Sequence, residues 1–204
     1  MSVVLGFLAP GKPQLILSPE ANPGWQRLHD SFIAARKQLE DSDAEMLLIY
    51  STQWHSIIGH QMQADPNPRW SKVDDDFHDL GTIHYDLKVD ADFAKSYCEA
   101  ARSRGLTART VNYFGFPVDI GSLVVAELLN PNSRIPLGIV SCNVYADRSE
   151  TIILGKAARD AILQSGKKVA VAVSTSLSDR MFTRRIDPKD DRVYSAKDDD
   201  WNRK

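Results

Sequence analysis

Cysteine is scarce in this 204-residue chain: Cys98 and Cys142 are the only two. They are too few for a disulfide framework, so reduced thiols and a core held by burial alone are expected. Charge of one sign is lacking as well. A formal net charge of −2 gives no reason to expect the clustered basic surface that nucleic acid or an anionic membrane would call for. Long hydrophobic runs are missing too, since nothing approaches the ~20 apolar residues that span a bilayer. The apolar start MSVVLGFLAPGKP has no basic flank and is broken early by Pro10 and Pro13, so it reads as a core strand and not as a signal peptide. A soluble, cytoplasmic protein with neither a nucleic-acid nor a membrane partner is the expectation. Familiar catalytic signatures are also absent: no phosphate loop of the P-loop type, no G-x-G-x-x-G after a strand, no G-x-S-x-G. The five histidines, His29, His55, His60, His78 and His84, show no established metal-ligand spacing. His55 and His60 would fall on opposite faces of a strand, or roughly 140° apart on a helix.

What is present is a globular composition, 43% hydrophobic, enough for one sizeable core and one domain over residues 1–204. Val3–Ala9 is an apolar run closed by Pro10 and Gly11, as in a strand buried on both faces. After a proline-bearing loop, Trp25, Leu28, Phe32, Ala35 and Leu39 recur at helical spacing, with Pro23 in the first turn. Met46–Tyr50 then completes a β-α-β unit. Asp90 caps a second helix with Phe93, Ala94, Tyr97, Cys98 and Ala101 on one face and Gly105 at its end. Ile135–Ser141 is a strand, Ser149 opens a helix to Gln164 stopped by Gly166, and Val169–Val173 is a fifth apolar run. The alternation predicts an α/β fold, a mainly parallel or mixed central sheet with helices on both faces. Residues 57–85 break the pattern and read as a surface excursion over the pocket mouth. Residues 187–204 form a charged C-terminal tail. The stretch Leu47–His55 carries polar groups to the C-terminal end of a strand, the edge where α/β proteins collect ligands.

Several motifs carry a resemblance. Gly6-Phe7-Leu8-Ala9-Pro10-Gly11-Lys12-Pro13, Tyr50-Ser51-Thr52-Gln53-Trp54, Asn112–Gly121, Ser176-Leu177-Ser178-Asp179 and the ending Asp198–Arg203 occur in an order that resembles class III extradiol ring-cleavage dioxygenases. The likeness runs along nearly the whole chain and is nearest to the non-catalytic subunits of the enzymes that open aminophenol rings. In active members of that family Fe(II) is held by two histidines and a glutamate, leaving open positions for a bidentate catechol or aminophenol and for O2. The resemblance puts Lys12 and Gln53 at the histidine positions, with His55 two residues beyond Gln53. It puts the glutamate past Lys204, and two further active-site histidines at Ile120 and Asp179. A protonated lysine has no lone pair for a metal and repels a cation. A lysine there could instead mimic the metal's charge by pairing with Asp179 or Asp119.

The resemblance therefore implies an α/β scaffold whose own site is degenerate, with His55, His60 and Tyr113 as pocket neighbours and no catalytic or metal residue retained. It implies no cofactor in this chain, Fe(II) in a homologous catalytic beta subunit, and an alpha/beta hetero-oligomer acting on 2-aminophenol or a related aromatic. A second expectation is a stand-alone aromatic-binding or regulatory protein on the same scaffold. A third is other chemistry using Cys142, His55 or Lys12. Read without the resemblance, Tyr50, Trp54, Tyr113 and Phe114 are equally core aromatics, and the aspartate runs at 74–76 and 198–200 are solvated faces.

Overall fold

The computed structural model describes residues 2–175. Its main sheet has six strands in the order β1 (Ser2–Ala9), β8 (Lys168–Ser174), β2 (Met46–Ser56), β7 (Leu137–Asn143), β3 (His60–Gln63) and β6 (Ala108–Val111). β1, β8, β2 and β7 are mutually parallel, while β3 meets β7 antiparallel and pairs parallel with β6. The α/β expectation of a mainly parallel, mixed sheet holds. The first and second strands are not neighbours, however, because β8 inserts between them.

Alternation along the strands divides the core. Leu47 and Ile49 of β2 with Ala170 and Ala172 of β8 point to one face, and Met46, Leu48 and Val169 to the other. The first face is covered by α2 (Pro23–Asp41), through Trp25, Phe32 and Leu39, and by α4 (Ile120–Leu129). The second is covered by α3 (Ala91–Ser103) and α5 (Arg148–Ser165), which place Phe93, Tyr97, Ala101, Leu154, Ala157 and Ala161 against the sheet. Burial on both faces explains why these strands read as continuous apolar runs. β1 departs from that reading. It pairs on one side only among the described residues, and Val3 and Leu8 stay 53% and 67% exposed.

The caps follow local chemistry. Asn22 accepts from the Gly24 and Trp25 N–H groups ahead of Pro23, and Asp90 accepts from the Phe93 N–H. The third cap is Asp147 and not Ser149: its carboxylate accepts from the Glu150 N–H at 2.7 Å. Gly166 closes α5 at φ 72°, a left-handed turn suited to glycine. Part of the proline-bearing loop winds into α1 (Gln14–Leu17) and a 3-10 turn, Pro19–Ala21.

The segment 57–85 is only partly an excursion. Its first portion is β3, inside the main sheet, where His60, Met62 and Gln63 are buried. The remainder forms a separate two-stranded antiparallel ribbon of β4 (Arg69–Val73) and β5 (Thr82–Asp86). Among the described residues no helix is long and apolar enough to cross a membrane. The tail at 187–204 lies outside the described residues.

Candidate functional site

The C-terminal ends of β1, β8 and β2 meet the N-terminus of α4, and the close fit there is set by two glycines. A Cβ on Gly11 would stand 2.4 Å from the Gly121 Cα and 2.5 Å from Ser174 Oγ, so neither chain segment tolerates a side chain at this crossing. The N-cap of α4 is Asp119, whose Oδ1 accepts from the Ser122 N–H at 2.9 Å and from Ser51 Oγ at 2.6 Å. One carboxylate thus ties the helix to the strand edge. Asp119 Oδ2 and Ser174 Oγ are shielded and have no hydrogen-bond partner among the described residues.

β2 leaves its ladders at this point. Its pairing with β8 ends at Ser51, and its register with β7 jumps from Ser51 to His55, which releases Thr52, Gln53 and Trp54. Such an irregularity re-aims side chains beside a site. Thr52 Oγ1 donates to the Ser174 carbonyl, and Gln53 Nε2 donates to the Gly11 carbonyl at 2.7 Å. Trp54 packs against Phe116, with ring centroids 5.9 Å apart and planes tilted by 53°.

These groups surround a pocket of about 550 Å³ walled by Lys12, Gln53, Trp54, Phe116, Asp119 and Ile120, among others. Three of the four degenerate positions, Lys12, Gln53 and Ile120, therefore line one space. The fourth, Asp179, lies outside the described residues. The later part of the 57–85 segment borders the same pocket. Lys72, Asp74, Asp75, Asp76 and Phe77 also line it, and Lys12 Nζ stands 6.0 Å from the Phe77 ring centre. Asp74 Oδ1 accepts from the Asp76 and Phe77 N–H groups, which fixes the turn that holds Phe77 in place. Phe77 carries no signal in the sequence, because a solitary aromatic in a polar loop has no periodicity, whereas Phe116 lies within the Asn112–Gly121 motif.

The pocket neighbours divide. His55 is on the wall and exposed. His60 is not there: it is fully buried at the start of β3, with Nε2 2.9 Å from Glu150 Oε1, which also accepts from Asn143 Nδ2. A buried ring needs a polar partner, and α5 supplies it. Tyr113 is also away from the pocket, 69% exposed beside Phe114 in the loop after β6. Tyr50 meets the Cys142 thiol, and burial followed by that hydrogen bond pushes its hydroxyl well above the ordinary phenol range. Cys98 and Cys142 are both free thiols, and burial raises the Cys98 thiol.

Comparison with known proteins bears on this arrangement. The chain is 33% identical over 204 residues to the 2-aminophenol 1,6-dioxygenase alpha subunit of Pseudomonas sp, all of this chain against 75% of that protein. It is 28% identical over 203 residues to the 2-aminophenol 1,6-dioxygenase beta subunit of Pseudomonas sp, 93% of this chain against 67% of that one. A crystal structure of the uncharacterized protein JW3007 from Escherichia coli K12 shares the fold with TM-score 0.55 at 15% identity, covering 73% of this chain and 54% of that one. The family described as the catalytic LigB subunit of aromatic ring-opening dioxygenase matches residues 10–201. On this evidence the chain belongs to the LigB family, within the class III extradiol dioxygenase superfamily.

Proposed function

We propose that this chain is a non-catalytic subunit of a heteromeric, Fe(II)-dependent ring-opening dioxygenase, and that a homologous partner carries the iron and the chemistry. The substrate of the assembly would be 2-aminophenol or a related aromatic. The observation that carries the reading is the convergence of Lys12, Gln53 and Ile120 on one pocket, at positions where the resemblance expects imidazoles. Their donor chemistry does not fit Fe(II). An ammonium has no lone pair to give, an isoleucine has no donor, and the Gln53 amide offers only a neutral oxygen, a weak substitute for imidazole on iron. Among the described residues no group of three or more His, Cys, Asp or Glu side chains could hold a metal ion. The likeness to proteins named as alpha and beta subunits of a single dioxygenase supports an assembly of two related chains.

The test is metal content and ring opening of the purified chain, alone and after co-expression with a catalytic partner of the beta type. The expected outcome is no bound iron and no turnover alone, with both appearing in the co-purified complex. Stoichiometric iron and turnover by the chain alone would sink the reading.

A further inference from the structure

We infer that the recess between the β4–β5 ribbon and the loop after β6 is a self-association surface, and that its occupant is a second copy of this chain placed by a two-fold axis. The recess, of about 750 Å³, is lined by Arg69, Trp70, His84, Tyr85, Asp86 and Phe114, among others. It shares no lining residue with the pocket at the sheet edge. At its rim Phe114 is 92% exposed and Trp70 51% exposed, and the two rings meet edge to face with centroids 6.0 Å apart and planes at 87°. Large apolar side chains gathered in water at one spot mark an interaction surface. The backbone holds the patch in shape. Phe116 N–H donates to the Tyr113 carbonyl at 3.0 Å and Gly115 takes φ 74°, which puts Phe114 at the tip of a tight turn. Val118 N–H donates to the Tyr85 hydroxyl and ties that loop to the ribbon. The surface is therefore formed before any partner arrives, and little ordering entropy opposes docking.

Shape and charge both select a copy of the same surface. A two-fold contact sets one patch against itself, so the patch must hold both halves of every interaction. Here a projecting ring, Phe114, stands beside the recess, and two copies turned by 180° can each seat Phe114 in the other's recess. Charge follows the same rule. Arg69 and Asp86 lie opposite each other across the ribbon, 3.5 Å apart and both exposed at the recess. Against a copy of itself, each meets its opposite sign. A surface for nucleic acid or an anionic membrane would carry one sign only. Each aromatic ring that docks removes on the order of 150–250 Å² from water, and the two-fold axis counts every ring twice toward the roughly 1,200 Å² of a specific interface.

Sedimentation equilibrium of the full chain over a range of concentrations tests this directly. A monomer–dimer equilibrium is expected, and Phe114→Ser is expected to weaken it about tenfold. Because Phe114 is 92% exposed, the same substitution is expected to leave the melting temperature of the monomer unchanged, which separates lost docking from lost folding. Arg69→Asp and Asp86→Arg are each expected to weaken the dimer about tenfold through like charges. Mixing those two variants is expected to restore it, since each then offers the other the opposite sign, a rescue that only a contact between copies produces. A monomer at every concentration, a dimer that Phe114→Ser leaves intact, or a mixture no tighter than its components would overturn the inference. A monomer whose assembly with a beta-type partner is lost in Phe114→Ser overturns it too, and gives the surface to that partner. The subunit reading is separate, because it stands or falls on assembly with the beta-type partner whatever this chain does alone.

Discussion

Gly11 occupies a position where backbone approaches backbone, and that makes it the most sensitive single residue at the pocket floor. A methyl group there would meet the Gly121 Cα at 2.4 Å, a contact that no rotamer change relieves. Gly11→Ala is therefore expected to destabilise the chain by about 1–3 kcal/mol, the usual range for overpacking. Gly155 in α5 has nothing within 4 Å of its Cβ position, and Gly155→Ala should stabilise by roughly 0.5–1 kcal/mol. Thermal denaturation of the two variants checks the pair, and a loss of stability at both positions would refute the packing argument. The sequence made the pocket floor legible because Lys12 follows the end of β1 and Gln53 lies near the end of β2, where chain direction alone brings groups to one edge. It did not make Tyr113 legible. A loop aromatic's direction depends on turn geometry, and this one leaves the fold at 69% exposure.

At the level of elements, the reversed strand β3 is held by a polar pin and not by length. Its four residues include His60, fully buried, joined to Glu150 at the first turn of α5. Glu150→Ala leaves the ring without an acceptor and is expected to lose about 1–3 kcal/mol, while Glu150→Gln, whose amide oxygen still accepts, loses less. Equal melting temperatures for the two variants would show that the pin contributes nothing. A second tie joins the N-terminus of α3 to the turn before β8, where Asp90 pairs with Lys167. Burial pushes the Asp90 carboxyl up, but the hydrogen bond from Lys167 and those from the Phe93 and Asp92 N–H groups outweigh it, so it sits below the ordinary range. A depressed carboxyl contributes stability that is full above its unfolded value near ~3.9 and is lost as pH falls through its folded value. The melting temperature is therefore expected to fall more steeply on acidification below about pH 5 in the native chain than in Asp90→Asn. Parallel slopes would exclude the linkage. These ties also explain what the sequence hid. β3 reads His-Gln-Met-Gln, with no alternation to mark a strand, and α4 is apolar almost all round because nine of its residues are buried. The helices with one apolar stripe, α2 and α3, were readable for the opposite reason.

Over the whole molecule, the proposed function and its rivals differ in what binds the folded state, and binding to the folded state is measurable as stability. A partner that binds only the native chain stabilises it by RT ln(1 + [L]/Kd), about 2.7 kcal/mol when free partner is a hundredfold above Kd. The same relation holds for a metal ion. In the subunit reading, adding a catalytic beta-type partner raises the melting temperature of this chain in a concentration-dependent way, and anaerobic Fe(II) at similar excess does not. A stand-alone enzyme reverses the two results. A stand-alone binding module responds to neither and shifts only with phenol or aniline. The open side of β1 adds a structural reason to expect the first outcome. It is an apolar edge, with Val3 and Leu8 exposed and no paired strand beyond it among the described residues, and such edges are ordinarily covered or paired. A melting series with partner, Fe(II) and phenol as separate arms decides among the three, because each arm reports a different ligand of the same native fold.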